Sequence, residues 1–245
     1  MHSVDHLFAL LIVLIYPVYE VFATRTYLKE IAAGMVTNRR RLYGNILLTE
    51  WLAFTVLLGA WIVLERPLSG LGFRPPGGGG FWIGLALVIV ATLALLYSWH
   101  AAGSAGPDDK RKFRESLGPL IHFLPITGQD YKLLNWVSVT AGIVEETIYR
   151  GFALWYFFHY MPVWAAVIVT SLVFALAHSY QGAAGMARVS LVGLALAGLY
   201  LLSGSLWLPI VAHAILDLAQ CATIRRMLEP ADEAGTHPAT TQDHS

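Results

Sequence analysis

Seven apolar runs recur along this chain, near residues 4–22, 43–64, 81–99, 133–157, 163–178, 188–202 and 206–223. A hydrocarbon core about 30 Å thick takes about 20 mostly apolar residues as a helix, and in lipid a helix satisfies its own backbone polar groups. Runs of this length and number predict an all-α, polytopic transmembrane helical bundle of about seven spans. The fifth and sixth runs are short, which suits tilted or partly interfacial helices. Charged residues are only 13% of the 245, against about 25% in a soluble domain, and 16 basic residues balance 16 acidic ones. That excludes a disordered chain, a collagen and a basic nucleic-acid binder. Cys221 stands alone, so neither an intramolecular disulfide nor a cysteine-based zinc site can form. The first run lacks a basic leader and is too long for the apolar part of a signal peptide, so it is expected to span.

The connections carry the topology. The first loop holds Arg25, Lys29, Arg39, Arg40 and Arg41. The second holds Pro75, Pro76 and the glycines 77–80, which cannot continue a helix. The third, residues 100–132, holds Lys110, Arg111, Lys112, Arg114 and Lys132; its Phe113, Leu117, Leu120, Ile121 and Leu124 suggest a short surface helix, against which Pro119 counts. With the N-terminus outside, 13 basic residues fall on cytoplasmic segments and only Arg66 and Arg74 on outer ones, which predicts a cytoplasmic C-terminus. Residues 1–230 read as a single transmembrane domain, and the polar residues 231–245 as a disordered tail.

Ionisable residues inside apolar runs need a local reason, because a charge at the bilayer centre costs about 2.5–3.5 kcal/mol or more. They are Glu20, Glu50, Glu145, Glu146, Arg150, His178, His213 and Asp217. Glu145 and Glu146 sit near the middle of the fourth run, and two adjacent buried carboxylates repel. Arg150, four residues after Glu146, shares its face and is expected to pair with it structurally, while Glu145, about 100° round the helix, is left free to act as a base. Phe174 stacks beneath His178. Asp217, four residues after His213, is placed to accept a hydrogen bond from one imidazole nitrogen and leave the other facing a ligand. Glu20 and Glu50 are expected to be interfacial or paired with nearby basic residues. Gly193 and Ala197 mark internal helix packing.

In order and spacing, Glu145-Glu146-Thr147-Ile148-Tyr149-Arg150, Phe174-Ala175-Leu176-Ala177-His178 and His213-Ala214-Ile215-Leu216-Asp217 resemble the EExxxR, FxxxH and HxxxN/D motifs of the CPBP intramembrane proteases. These are similar to the type II CAAX prenyl endopeptidases and the bacteriocin-processing and immunity proteins. The resemblance covers roughly residues 133–223, the last four runs, and implies a catalytic core there; residues 1–132 correspond to the family's variable N-terminal part. It implies an endopeptidase that cuts a membrane-embedded or lipidated protein, in the cell membrane of a prokaryote. Glu145 would activate water, His178 and His213 would hold water or stabilise the oxyanion, and Asp217 would complete the site.

Asn is commoner than Asp at the last motif position. An ionised Asp cannot donate to an oxyanion, so Asp217 favours orienting His213 or binding a metal. His178, His213 and Asp217 suit a divalent metal such as zinc with an open water position; a metal-independent glutamate mechanism suits the same residues equally. The absence of HExxH excludes a zincin. The alternative is a non-catalytic scaffold or immunity protein of the same fold that binds a peptide. Haem ligation leaves the glutamates and Arg150 unexplained, and a transporter lacks an inverted repeat.

Overall fold

The computed structural model describes residues 1–33 and 38–229. The expected disordered tail, and part of the first loop, lie outside the described residues, as does the side chain of Glu20. Among the described residues every regular element is helical.

The first helix, α1, runs Ser3–Glu30 and opens into a wide π turn at Leu11–Ile15. Pro17 has no N–H and its ring crowds the carbonyl four residues back, at Val13, so the widened turn lies where a regular ladder would clash. Helix α2, Arg39–Val63, starts at Asn38, whose side chain accepts from the Arg41 N–H at 3.1 Å. Helix α3 spans Gly78–Gly103. The glycine run does break the chain between α2 and α3, yet Gly78 to Gly80 form the first turn of α3 instead of lying outside it. Gly80 is required there: a Cβ would lie 2.0 Å from the carbonyl oxygen of Leu202.

Helix α4, Pro107–Leu117, ends at Gly118 with φ 50°, and a 3-10 turn follows over Gly118–His122. The expected surface stripe is therefore divided between a helix and a turn. Helix α5 begins at Gly128 with a reciprocal cap between Thr127 and Asp130, runs to Glu146, opens into a π turn over Thr147–Ala153 and closes with Leu154–Phe157. Helix α6 is Val163–Ala177, α7 is Gly182–Ser203 and α8 is Trp207–Leu228. The sixth apolar run is thus longer than its hydropathy suggests, because the small residues of Gly182-Ala183-Ala184-Gly185 join the helix.

Five helices are long and apolar enough to cross a membrane: α1, α2, α3, α7 with its preceding turn, and α8. The two expected spans that miss this measure both carry motifs. Helix α5 holds Glu145, Glu146 and Arg150, and α6 has 15 residues, a rise of about 22 Å against a core of about 30 Å. Helix α8 packs against α5 and α3, α2 lies against α5, α6 lies against α7, and α1 lies against α6. Outward faces carry large apolar side chains such as Leu48, Leu87, Val90 and Leu93. Ala197 packs inside with Leu154 and Ala166, as its small size predicted.

The basic loops converge. Arg39 donates to the Leu124 carbonyl, Arg114 to Leu228, Lys110 to Glu229 and Arg226 to Trp99. At the far end of α2, Arg66 forks onto buried Asp5 at 2.7 and 2.8 Å, between the rings of Trp61 and Trp155.

Candidate active site

Three of the packed helices bring the motif residues together. Glu146, 0% exposed, and Arg150, 2% exposed, lie one turn apart on α5 and pair at 2.7 Å. The Arg150 guanidinium also donates to the Gly193 carbonyl of α7 at 3.0 Å and lies 4.7 Å from the centre of the Phe174 ring on α6. One arginine therefore ties α5, α6 and α7 together through a charge-assisted hydrogen bond to Glu146.

His213, on α8, is buried beside this pair. Its Nδ1 stands 2.8 Å from Glu146 Oε1. An ionised carboxylate only accepts, so Nδ1 carries the hydrogen and Nε2 faces the remaining space. Across that space Nε2 lies 3.6 Å from Asp217 Oδ2 and 3.8 Å from Glu145 Oε2. Both exceed hydrogen-bond length. This corrects the expectation for Asp217: the carboxylate that orients His213 is Glu146 from the neighbouring helix. The reason is reach. An i, i+4 carboxylate on the imidazole's own helix comes beside Nε2, whereas Glu146 meets Nδ1 head on across the α5–α8 contact.

That contact is close because Gly142 lies one turn before Glu146. A Cβ there would come 2.9 Å from the Ile210 carbonyl oxygen and 3.1 Å from Ala214, the residue after His213. Phe174 forms the floor: His178 stacks on it at 4.7 Å between ring centres, and His213 meets it edge-on at 5.9 Å. His178 Nδ1 lies 2.8 Å from the Phe174 carbonyl. A carbonyl cannot donate, so this imidazole too presents Nε2 outward.

Glu145 Oε2 is buried and has no hydrogen-bond partner within the protein. The same is true of Glu50 Oε2. A buried oxygen with neither solvent contact nor a basic partner corrects the expectation that Glu50 is interfacial or paired with a nearby basic residue. Helix α2 starts at Arg39, so Glu50 lies 11 residues along it, about 16 Å from its end. The signal in the sequence was a lone carboxylate in an apolar run; which helix it faced was not legible.

Among the described residues no three His, Cys, Asp or Glu side chains converge as a metal site. His178, His213 and Asp217, the set expected for zinc, do not form one, and Nδ1 of each imidazole is already engaged by protein. No step below passes through a metal.

Residues 129–219 match the family model of the Rce1-like type II CAAX prenyl endopeptidases. A protein of Escherichia coli described as "Uncharacterized 24.3 kDa protein" is 36% identical over 80 residues, 31% of this chain and 37% of that protein. The chain thus spans little more than a third of the curated relative it matches. No solved structure matches. Glu145, Glu146, Arg150, Phe174, His178, His213 and Asp217 all lie in the matched segment, and it is through that segment that this integral membrane protein is similar to the Rce1-like type II CAAX prenyl endopeptidases.

Proposed function

We propose that the protein is an intramembrane endopeptidase that hydrolyses a peptide bond of a membrane-embedded or lipidated protein, with Glu145 activating the water. The observation that carries this is the pairing of an unpartnered Glu145 carboxylate with the free Nε2 of His213 at 3.8 Å. Two groups at that separation both reach one water at ordinary hydrogen-bond length. The water oxygen attacks the scissile carbonyl carbon while Glu145 takes its proton. The C–N bond then breaks, and Glu145 returns that proton to the leaving amine. His178 Nε2 holds the water from the other side. Asp217, whose side chain is 33% exposed, lines the open edge by which a peptide enters. Glu146 and Arg150 act through His213, whose tautomer they hold.

We place the converging basic loops on the cytoplasmic side of a prokaryotic cell membrane, which puts the N-terminus outside and opens the site toward the cytoplasmic half of the bilayer. On this reading the first three helices shape the approach of the substrate, and residues 133–223 are the catalytic core.

The test compares protein termini in host membranes with wild-type protein and with Glu145→Ala. New termini beside hydrophobic or lipidated segments, present only with the wild type, are expected, and purified turnover should fall about 10²–10⁴-fold. Identical maps with the variant folded and abundant would overturn the protease reading in favour of a peptide-binding scaffold of the same fold.

A further inference from the structure

Where α2 begins and α8 ends, the chain borders a cavity of about 610 Å³, a size in the ~300–1,000 Å³ range of small-ligand sites. Neither Glu145, His178 nor His213 lines it, so it is separate from the cluster described above. Three arginines from three elements do line it: Arg39 from the first turn of α2, Arg114 from α4 and Arg225 from the last turn of α8. Ile121, Leu124, Pro125, Ile126 and Leu228 give it an apolar lining as well.

The cations there are not spent on carboxylates. Arg39 Nε donates to the Leu124 carbonyl and Arg114 Nη2 to the Leu228 carbonyl at 3.3 Å. Among the described residues neither arginine forms an ion pair. A guanidinium has several N–H donors, so one carbonyl fixes its position and leaves others for a ligand. Arg225 lies 4.9 Å from the centre of the Tyr131 ring and 3.4 Å from Glu229, with both side chains of that ion pair more than half exposed, which makes the pair weak. Glu229 is the only acid among the described lining residues, so three guanidinium groups face one carboxylate and the cavity is positive.

Depth selects among anions. Helices α2 and α8 are both long and apolar enough to cross a membrane, so a cavity at their ends lies where acyl chains give way to headgroups. A free phosphate would use the arginines and leave the apolar lining unused, whereas a phospholipid uses both. Basic pockets between spanning helices hold anionic headgroups in this way, and a guanidinium fork matches two phosphate oxygens. We propose that the cavity is a binding site for an anionic phospholipid, with Arg39, Arg114 and Arg225 on its phosphate and Ile121, Leu124 and Leu228 against its glycerol and upper acyl chain. Such a lipid bridges α2, α4 and α8 at one end of the bundle. Its binding asks nothing of Glu145 and holds whether or not the protein cleaves peptides.

The test titrates full-length protein in a neutral detergent with phosphatidylglycerol, counting bound lipid by native mass spectrometry. Saturable binding is expected, with phosphatidylcholine, whose headgroup has no net charge, about tenfold weaker. Arg39→Gln, Arg114→Gln and Arg225→Gln should each weaken phosphatidylglycerol binding about fivefold, the worth of one basic residue against an anionic lipid. Arg41→Gln makes the same charge change in the first turn of α2 but outside the cavity, and should stay within about twofold of wild type. An equal loss in Arg41→Gln, or equal binding of the two lipids, would overturn the site in favour of diffuse attraction. Inorganic phosphate that displaces the lipid at the lipid's own affinity would assign the cavity to a free anion and overturn it too. Should Arg39→Gln fail to fold for want of its bond to Leu124, Arg225→Gln decides, because that side chain is 56% exposed.

Discussion

Removing Arg150 tests how the site is held together. In Arg150→Ala the Glu146 carboxylate, 0% exposed, loses its 2.7 Å partner, and the Gly193 carbonyl loses its donor at 3.0 Å. Breaking one side of a buried ion pair costs about 3–5 kcal/mol, and an orphaned buried carbonyl adds about 1–3 kcal/mol. The substitution should therefore cost about 4 kcal/mol or more, enough to deplete the folded protein in membranes. Glu146→Ala strands the guanidinium and should cost about 3–5 kcal/mol. In the double variant no buried charge is left, so its cost should fall short of the summed single costs by about 2–3 kcal/mol. Arg150→Lys keeps the charge but not the fork that serves both Glu146 and Gly193, and should fall between wild type and Arg150→Ala. The assay is reversible unfolding in mixed micelles, followed by tryptophan fluorescence, across all four proteins. Single variants within about 0.5 kcal/mol of wild type, or additive single costs, would refute the structural pair.

Gly142→Ala should separate α5 from α8 at the His213 level, since the new methyl meets backbone at 2.9 Å; about 1–3 kcal/mol of stability should be lost, and cleavage with it, as melting and turnover would show. Asp217→Asn should retain turnover within about tenfold, since Asp217 does not orient His213 and an amide can donate toward an oxyanion; a loss as complete as that of Glu145→Ala would contradict this. At the start of α5, hydrogen bonding from the Thr127 backbone N–H holds the Asp130 carboxyl below its ordinary range, opposed by burial and helped by the Thr127 hydroxyl. A lowered folded-state value means that this stabilisation is present above the unfolded carboxylate value of about 3.9 and disappears as pH falls through the folded value. Asp130→Asn should accordingly flatten the stability curve below about pH 5, and an unchanged slope there would exclude the cap as its source.

Local chemistry was legible in the sequence. Apolar runs impose helices because lipid offers the backbone no partners. The Glu146–Arg150 pair was legible for the same reason, since four residues is one helical turn wherever the helix goes. The π turn over Thr147–Ala153 was not, and neither was the inclusion of the glycines of α3 in its first turn, which depends on Leu202 from another helix. Tertiary structure alone decided the partners across helices. Glu146, and not Asp217, orients His213; Glu50 Oε2 is buried without a partner instead of interfacial or paired with a basic residue; and among the described residues the expected metal donors do not converge. Periodicity specifies the direction of a side chain relative to its own axis, but rotation and depth are set by close packing between helices, as at Gly142 against Ile210.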